Sequence, residues 1–242
     1  MTAFSVADAV DRYVESQETP RVPDGTWHPS AIFGCLRQAT YAARGTPESD
    51  PKQPRDKRIL RVGHMFHEFV QRAIWAYPDV TAYCELHIAI PPLKVTGSLD
   101  VLVEFDDGRW ELIELKTINS KAFAYRDLPK EDHVKQVSAY MAALREFGAE
   151  NDYIEPLHDR LQRARIVYIS KDDLRIEEFT VIHSEAREVE IAERVAVLES
   201  HRAAGTLPDR LPDTVDSKTG KPRHDWRCGY CVYATTCWEG AA

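Results

Sequence analysis

The stretch from Val95 to Thr117, VTGSLDVLVEFDDGRWELIELKT, constrains this 242-residue chain more than any other. Two apolar runs with a period of two flank Asp106-Asp107-Gly108, which reads as a hairpin turn between two strands. Glu114 and Lys116 are two residues apart and so share one sheet face, and Asp100 lies on the partner strand. Two acids and one amine can thus meet in one pocket. Leu99, Val101 and Val103 surround Asp100, and Leu112, Ile113 and Leu115 surround Glu114. Strands this apolar belong at the centre of a sheet, where a charge needs a partner or a metal to offset the loss of water. An exposed hairpin face carrying a cross-strand ion pair would need no such neighbours. Phosphodiester hydrolysis uses this set: carboxylates hold a hard cation such as Mg²⁺ or Mn²⁺, and a lysine positions a water or contacts the phosphate.

Around the hairpin the periodicity alternates between helical and extended. Ser5–Gln17 has Val6, Ala9, Val10, Tyr13 and Val14 at helical spacing. Pro20–Pro29 reads as a loop, and Ser30 caps a second helix that runs through Ala43, with Cys35 inside it and Gly45 as its stop. Gly45–Lys57 is Pro-rich and charged, hence another loop, and Ile59–Ala76 is a third helix holding Gly63, His64 and His67. Tyr83–Ile90 joins the hairpin as a strand. A helix over Glu131–Phe147, strands over Ala164–Ser170 and Ile176–Ile182, and a helix over Ser184–Ala204 follow. This order predicts an α/β fold with a mixed central sheet flanked by helices, unlike a doubly wound dinucleotide fold. Gly205–Arg227 spans 23 residues with three prolines and no periodic pattern, and such a segment calls for an external staple.

Charge and hydropathy exclude some functions. Lys plus Arg number 31 against 39 Asp plus Glu, a net charge of -8, which argues against a protein that coats nucleic acid all over but leaves room for a local channel. Between Lys52 and Arg61 five basic residues face one acid, ordinarily a solvated face unless a phosphate-handling site lies nearby. No run approaches a membrane span and the first residues lack a signal peptide's apolar block, so a cytoplasmic protein is expected. No Gly-x-x-x-x-Gly-Lys-Ser/Thr occurs, so any unwinding would come from a partner.

Five cysteines are too few for a disulfide scaffold. Cys228, Cys231 and Cys237 form a compact trio, which Cys35 or Cys84 would complete to four ligands. Spacing alone does not separate tetrahedral zinc from an iron-sulfur cluster. Cys84, on an alternating strand, reads as a small buried hydrophobe. Trp226, Arg227, Tyr230, Tyr233 and Trp238 either stack bases or shield whatever the thiols hold.

Gly-Ser-Leu-Asp100 followed by Glu114-Leu-Lys116 resembles the PD-(D/E)xK nuclease signature, in its RecB-like branch. Gly63-His-Met-Phe-His67 matches that branch's Gly-x-x-x-His motif and selects His67 over His64, and Gln136-Val-Ser-Ala-Tyr140 matches its Gln-x-x-x-Tyr motif. Leu99 stands where the superfamily name has proline. Of the four motifs none is specific alone; their order across Gly63–Tyr140 carries the likeness. It implies a restriction-endonuclease-like core in which His67, Asp100 and Glu114 bind Mg²⁺ or Mn²⁺, Lys116 orients water or stabilises developing charge, and Gln136 and Tyr140 hold the lysine or the substrate backbone. A subset of this branch, including CRISPR-associated Cas-four exonucleases and AddB-type nucleases, has one cysteine before the core and three after it. That similarity implies a four-iron four-sulfur cluster on Cys35, Cys228, Cys231 and Cys237.

The resulting expectation is a nuclease core over residues 58–204 and a helical, cysteine-cluster subdomain from 1–57 plus 205–242. Its function would be metal-dependent exonucleolytic cleavage of DNA, with single-stranded ends favoured and Arg55, Lys57, Arg58 and Arg61 lining the substrate path. Helicase or CRISPR-adaptation proteins are the expected partners, and repair, recombination, phage DNA metabolism or CRISPR adaptation the setting. The rival readings are a non-catalytic DNA-end adaptor and a zinc-stapled endonuclease.

Overall fold

The structure, a computed structural model, describes residues 5–17, 22–124, 127–149, 154–216 and 219–240. Its elements run α1 (Val6–Ser16), α2 (Pro29–Ile32), α3 (Leu36–Ala43), α4 (Pro54–Trp75), β1 (Val80–Ile90), β2 (Val95–Phe105), β3 (Trp110–Ile118) and α5 (Ser120–Ala124). They continue with α6 (Glu131–Glu146), β4 (Leu161–Ser170), β5 (Ile176–Ile182), α7 (Glu185–Ala204), β6 (Thr214–Val215), β7 (Pro222–Arg223) and α8 (Ala234–Glu239). Among these described residues no helix is long and apolar enough to cross a membrane.

The fold is α/β, with a five-stranded sheet in the order β1-β2-β3-β4-β5. β1, β2 and β3 form an antiparallel meander, β4 pairs parallel to β3, and β5 returns antiparallel to β4. The parallel step needs a crossover, which the segment containing α6 provides. Alternation sorts the side chains into two faces. Val101, Val103, Ile113, Leu115, Val167 and Ile169 pack on one side against Phe66, Val70 and Ile74, which lie at successive i, i+4 positions along α4. Leu102 and Leu112, opposite each other in the ladder, are fully buried on the other face. Val137, Met141 and Leu144 of α6 are likewise fully buried.

The chain divides into two compact units, one built from residues 26–34 and 63–197 and holding the sheet, the other from 1–25, 35–62 and 198–242. Residues 26–34 belong with the sheet because Trp27 bridges to Val95, donating its N–H to Lys94 and accepting from Thr96. In the second unit Tyr41, Val232 and Tyr233 form a small core with Leu207, Cys231 and Cys237. The Asp50 carboxylate accepts from the Thr235 N–H at 2.7 Å and its hydroxyl at 2.8 Å.

Three expectations need correction. The single helix over Ser30–Ala43 is two: α2 opens on Pro29, and Phe33, Gly34 and Cys35 separate it from α3. Cys35 is therefore not inside a helix but the extended N-cap residue of α3, with φ -80° and ψ 112°. The break is held by Arg194, whose guanidinium takes the Ile32 carbonyl at 2.7 Å and that of Gly34 at 3.3 Å. The loop expected over Gly45–Lys57 stops at Pro54, where proline suits a first helical turn because its missing N–H would have no partner there. Gly205–Arg227 contains the two-stranded β6–β7 ribbon. The first part of the Pro20–Pro29 loop lies outside the described residues. Leu112→Ala should cost about 2–5 kcal/mol in a urea denaturation, the range for emptying a fully buried leucine site.

Candidate active site

β2 and β3 pair only from Glu104/Trp110 to Val101/Ile113. Beyond that point each strand continues along its other neighbour, β2 along β1 and β3 along β4. Asp100 is the first residue past the last pair. Its Oδ2 accepts from the Leu115 backbone N–H at 2.7 Å, so the carboxylate takes the place of the missing strand partner. From α4, His67 Nδ1 approaches Asp100 Oδ1 to 3.2 Å.

Glu114 points into a more enclosed place and is 3% exposed. Its Oε1 accepts from Lys116 Nζ at 2.7 Å and from Gln136 Nε2 at 3.0 Å. The lysine also donates to Gln136 Oε1 at 2.9 Å, and Gln136 Nε2 lies 3.0 Å from the Tyr140 hydroxyl. Gln136 and Tyr140 are one turn apart on α6, which aims both at β3. Glu114 Oε2 is buried and has no hydrogen-bond partner. Glu111, three residues earlier on β3, is as deeply buried and its Oε2 also lacks a hydrogen bond, but two positive charges stand against it, Arg165 at 2.9 Å and Arg163 at 3.4 Å.

These surroundings set the protonation states. Burial drives the Glu114 carboxyl up to about 7; the Lys116 charge opposes that rise and the Asp100 charge adds to it. For His67, burial favours the neutral ring, but the hydrogen bond and charge of Asp100 and the charge of Glu114 outweigh it, so its pKa is raised. Burial pushes the Tyr140 phenol well above its ordinary range and keeps it neutral.

Both motif glycines are explained by close approach. A Cβ on Gly63 would lie 3.0 Å from Thr117 Oγ1, and one on Gly97 would lie 3.1 Å from Pro29 Cδ and 3.2 Å from Tyr140 Cε1. His64, beside Gly63, is exposed. Two residues that sequence reasoning missed also belong here. Gln71 Nε2 donates to Glu85 Oε1 at 2.6 Å and to the Asp100 carbonyl at 3.1 Å. Gln71 lies one turn beyond His67, a spacing that could have found it; nothing in the sequence marks Glu85.

Of the basic residues, Arg58 pairs with Asp11 and Lys57 lies 3.9 Å from Glu15, both acids on α1. Arg55 is exposed and Arg61 half-buried. Cys35, Cys228, Cys231 and Cys237 line one pocket together with Arg37 and Trp238. Arg37 Nε is buried there without a hydrogen-bond partner, and the Trp238 indole approaches the Cys228 thiol. Burial raises the Cys228 and Cys231 thiols. Cys84 instead packs, half-buried, against the core below the sheet. Among the described residues no three His, Cys, Asp or Glu side chains stand in metal-ligating geometry, at the acidic centre or at the thiols.

The sequence profile of the PD-(D/E)XK nuclease superfamily matches residues 8–238. The chain belongs to this superfamily. It is 24% identical over 162 residues to the CRISPR-associated exonuclease Cas4 of Saccharolobus solfataricus, a match covering 67% of this chain and 61% of that protein. The fold is also similar to that of the crystal structure of SSO0001, with a TM-score of 0.61, 18% identity and 98% of both chains covered. An alkaline exonuclease from Laribacter hongkongensis aligns with a TM-score of 0.50 and 16% identity, over 76% of this chain and 90% of its own.

PD-(D/E)XK nucleases use divalent metals, and the donor chemistry here, though not gathered in ligating geometry, suits a hard cation: two carboxylates, an imidazole, and in Glu114 Oε2 a buried oxygen with no hydrogen-bond partner. Without a cation, Glu114 ionises near 4.5 in the unfolded chain and near about 7 in the folded one. Over that interval the folded state holds the extra proton, so this group's contribution is full below 4.5 and is lost as pH rises through about 7. In EDTA, urea midpoints of the unsubstituted chain should decline across this interval and those of Glu114→Gln should decline less. Equal slopes would mean that the carboxyl is not the group titrating.

Proposed function

We propose that this chain is a Mg²⁺- or Mn²⁺-dependent deoxyribonuclease, an exonuclease that hydrolyses DNA from its ends and favours single strands. One observation carries the reading: Lys116 Nζ is held jointly by Glu114 Oε1 and Gln136 Oε1 beside an acid whose other oxygen has no partner. In the structural pair at Glu111 the oxygen that lacks a hydrogen bond still has a second guanidinium, that of Arg163, 3.4 Å away. His67, Asp100 and Glu114 would hold the cation, which when bound neutralises charge at the phosphate and acidifies a water. Asp100 is fixed for this by the Leu115 N–H and by His67, whose Nδ1 it faces. Gln136, steadied by Tyr140, fixes the ammonium of Lys116, which donates to the attacking water or to the developing anion.

The similarity to the Cas4 exonuclease supports the choice of DNA ends and suggests CRISPR adaptation as one setting; repair, recombination and phage DNA metabolism use the same chemistry. Any unwinding would come from a partner helicase. Arg55 and Arg61 would meet the strand, and Lys57 and Arg58 would contribute only if released from α1.

Purified protein in Mn²⁺ should shorten end-labelled single-stranded DNA, and Lys116→Ala should slow this by roughly 10²- to 10⁴-fold with an unchanged circular-dichroism spectrum. Undiminished cleavage by that variant would overturn the assignment.

Cys35, Cys228, Cys231 and Cys237 would hold a four-iron four-sulfur cluster. The support is one pocket shared by four sulfurs, with the Trp238 indole directed at the Cys228 sulfur and the Arg37 Nε buried without a partner, an environment for an anionic, sulfur-rich group. Anaerobically purified protein should be brown and contain about four iron and four sulfide per chain, with both lost in Cys231→Ala. Stoichiometric zinc without sulfide would overturn the cluster.

A further inference from the structure

Glu85 breaks the pattern of the strand that carries it. β1 pairs with β2 at Cys84↔Val101 and again at Leu86↔Leu99, but the intervening residues, Glu85 and Asp100, are not a ladder pair. At this point Glu85 has a φ of 54°, in the left-handed region that a non-glycine residue adopts only when its surroundings impose it. Nothing in the sequence asks for a turn here, since the residues on either side continue as strand. The conformation therefore serves the side chain, whose Oε1 accepts from Gln71 Nε2 at 2.6 Å.

The same Gln71 nitrogen donates to the carbonyl of Asp100 at 3.1 Å. Gln71 and His67 lie one above the other on α4, so the helix grips Asp100 at two points: His67 at the carboxylate, Gln71 at the backbone. A glutamine side chain with only the carbonyl to bind could rotate away from it. The carboxylate of Glu85 fixes the amide from the opposite side.

We infer that Glu85 is a positioning residue of this site: its strained backbone presents a carboxylate that locks Gln71, and Gln71 in turn holds the segment bearing Asp100 at the setting in which Asp100 accepts a cation. It acts through a hydrogen bond and not through its charge. This extends the metal-dependent reading above and rests on it. Groups that orient a ligand in this way ordinarily change metal affinity by about 10- to 100-fold when removed.

Three variants separate the possibilities, read by Mn²⁺ titration with electron paramagnetic resonance and by thermal unfolding in EDTA. Glu85→Gly removes the anchor but relieves the left-handed strain, so Mn²⁺ affinity should fall by about tenfold or more while the melting temperature holds or rises. A side chain with a merely structural role would lower both together. Glu85→Gln keeps an acceptor oxygen for Gln71 and should bind Mn²⁺ nearly as the unsubstituted chain does. Gln71→Met, which cannot donate, should lose affinity as Glu85→Gly does. Native affinity in Glu85→Gly and Gln71→Met would overturn the inference. So would a loss in Glu85→Gln equal to that in Glu85→Gly, because the charge would then be acting on the cation directly. If the unsubstituted chain bound no Mn²⁺, the metal-dependent reading would fall and this inference with it; binding that is indifferent to these substitutions would overturn this inference alone.

Discussion

The burial of one carboxylate organises the sheet-bearing unit. Glu114 lies on β3, whose other side is paired to β4 over its whole length, and α6 covers the face toward which the acid points. At 3% exposure the carboxylate has lost nearly all contact with solvent, so the group is stable only in company. Lys116 supplies the opposite charge, Gln136 donates an amide hydrogen, and Tyr140 fixes that amide. Even so, burial outweighs these partners and the carboxyl binds its proton up to about 7. A protein built for stability alone would do better with an apolar residue at this position, or with the arginines that neutralise Glu111 nearby. Glu114 instead keeps a single ammonium and an oxygen without a hydrogen bond inside the core.

The second constraint is the parting of β2 and β3. Continuous pairing would have placed Asp100 opposite Glu114 in an ordinary ladder. Because the strands separate after Val101/Ile113, the Asp100 carboxylate reaches the backbone of β3 and meets His67 arriving from α4. On the other side of β2, the irregularity of β1 at Glu85 lies level with Asp100, so the pairing of β2 departs from regular strand geometry on both sides at that residue. Departures of this kind concentrate where a sheet holds chemistry rather than merely a core.

The cysteine-bearing unit follows another logic. Its apolar core is small, centred on Tyr41, Val232 and Tyr233, and side chains bonded to main-chain groups tie together parts of it far apart in sequence. Arg37 reaches the Pro208 carbonyl, and Arg210 reaches that of Cys237. Burial raises the Cys228 and Cys231 thiols, and the Arg37 Nε beside them is buried without an acceptor.

Much of this was legible in the chain itself. The alternation of Val95–Phe105 and Trp110–Thr117 specified the hairpin and put Glu114 and Lys116 on one face, because side chains in a strand repeat every two residues. Gln136 and Tyr140 were joined by the helical repeat, and the order of Gly63, His67, Asp100 and Glu114 pointed to the superfamily. Such periodic and local relations depend on neighbours a few residues away. The break between α2 and α3 at Cys35, the separation of β2 from β3, and the roles of Gln71 and Glu85 were not legible. Each arises from a contact between distant segments: Arg194 with the Ile32 carbonyl, Asp100 with the Leu115 N–H, Gln71 with both Glu85 and Asp100. The amino-acid sequence by itself determined which groups could do the chemistry; only the tertiary structure decided which are buried, which are left without partners and how they are aimed, because desolvation and long-range hydrogen bonds come into being only when the chain closes on itself.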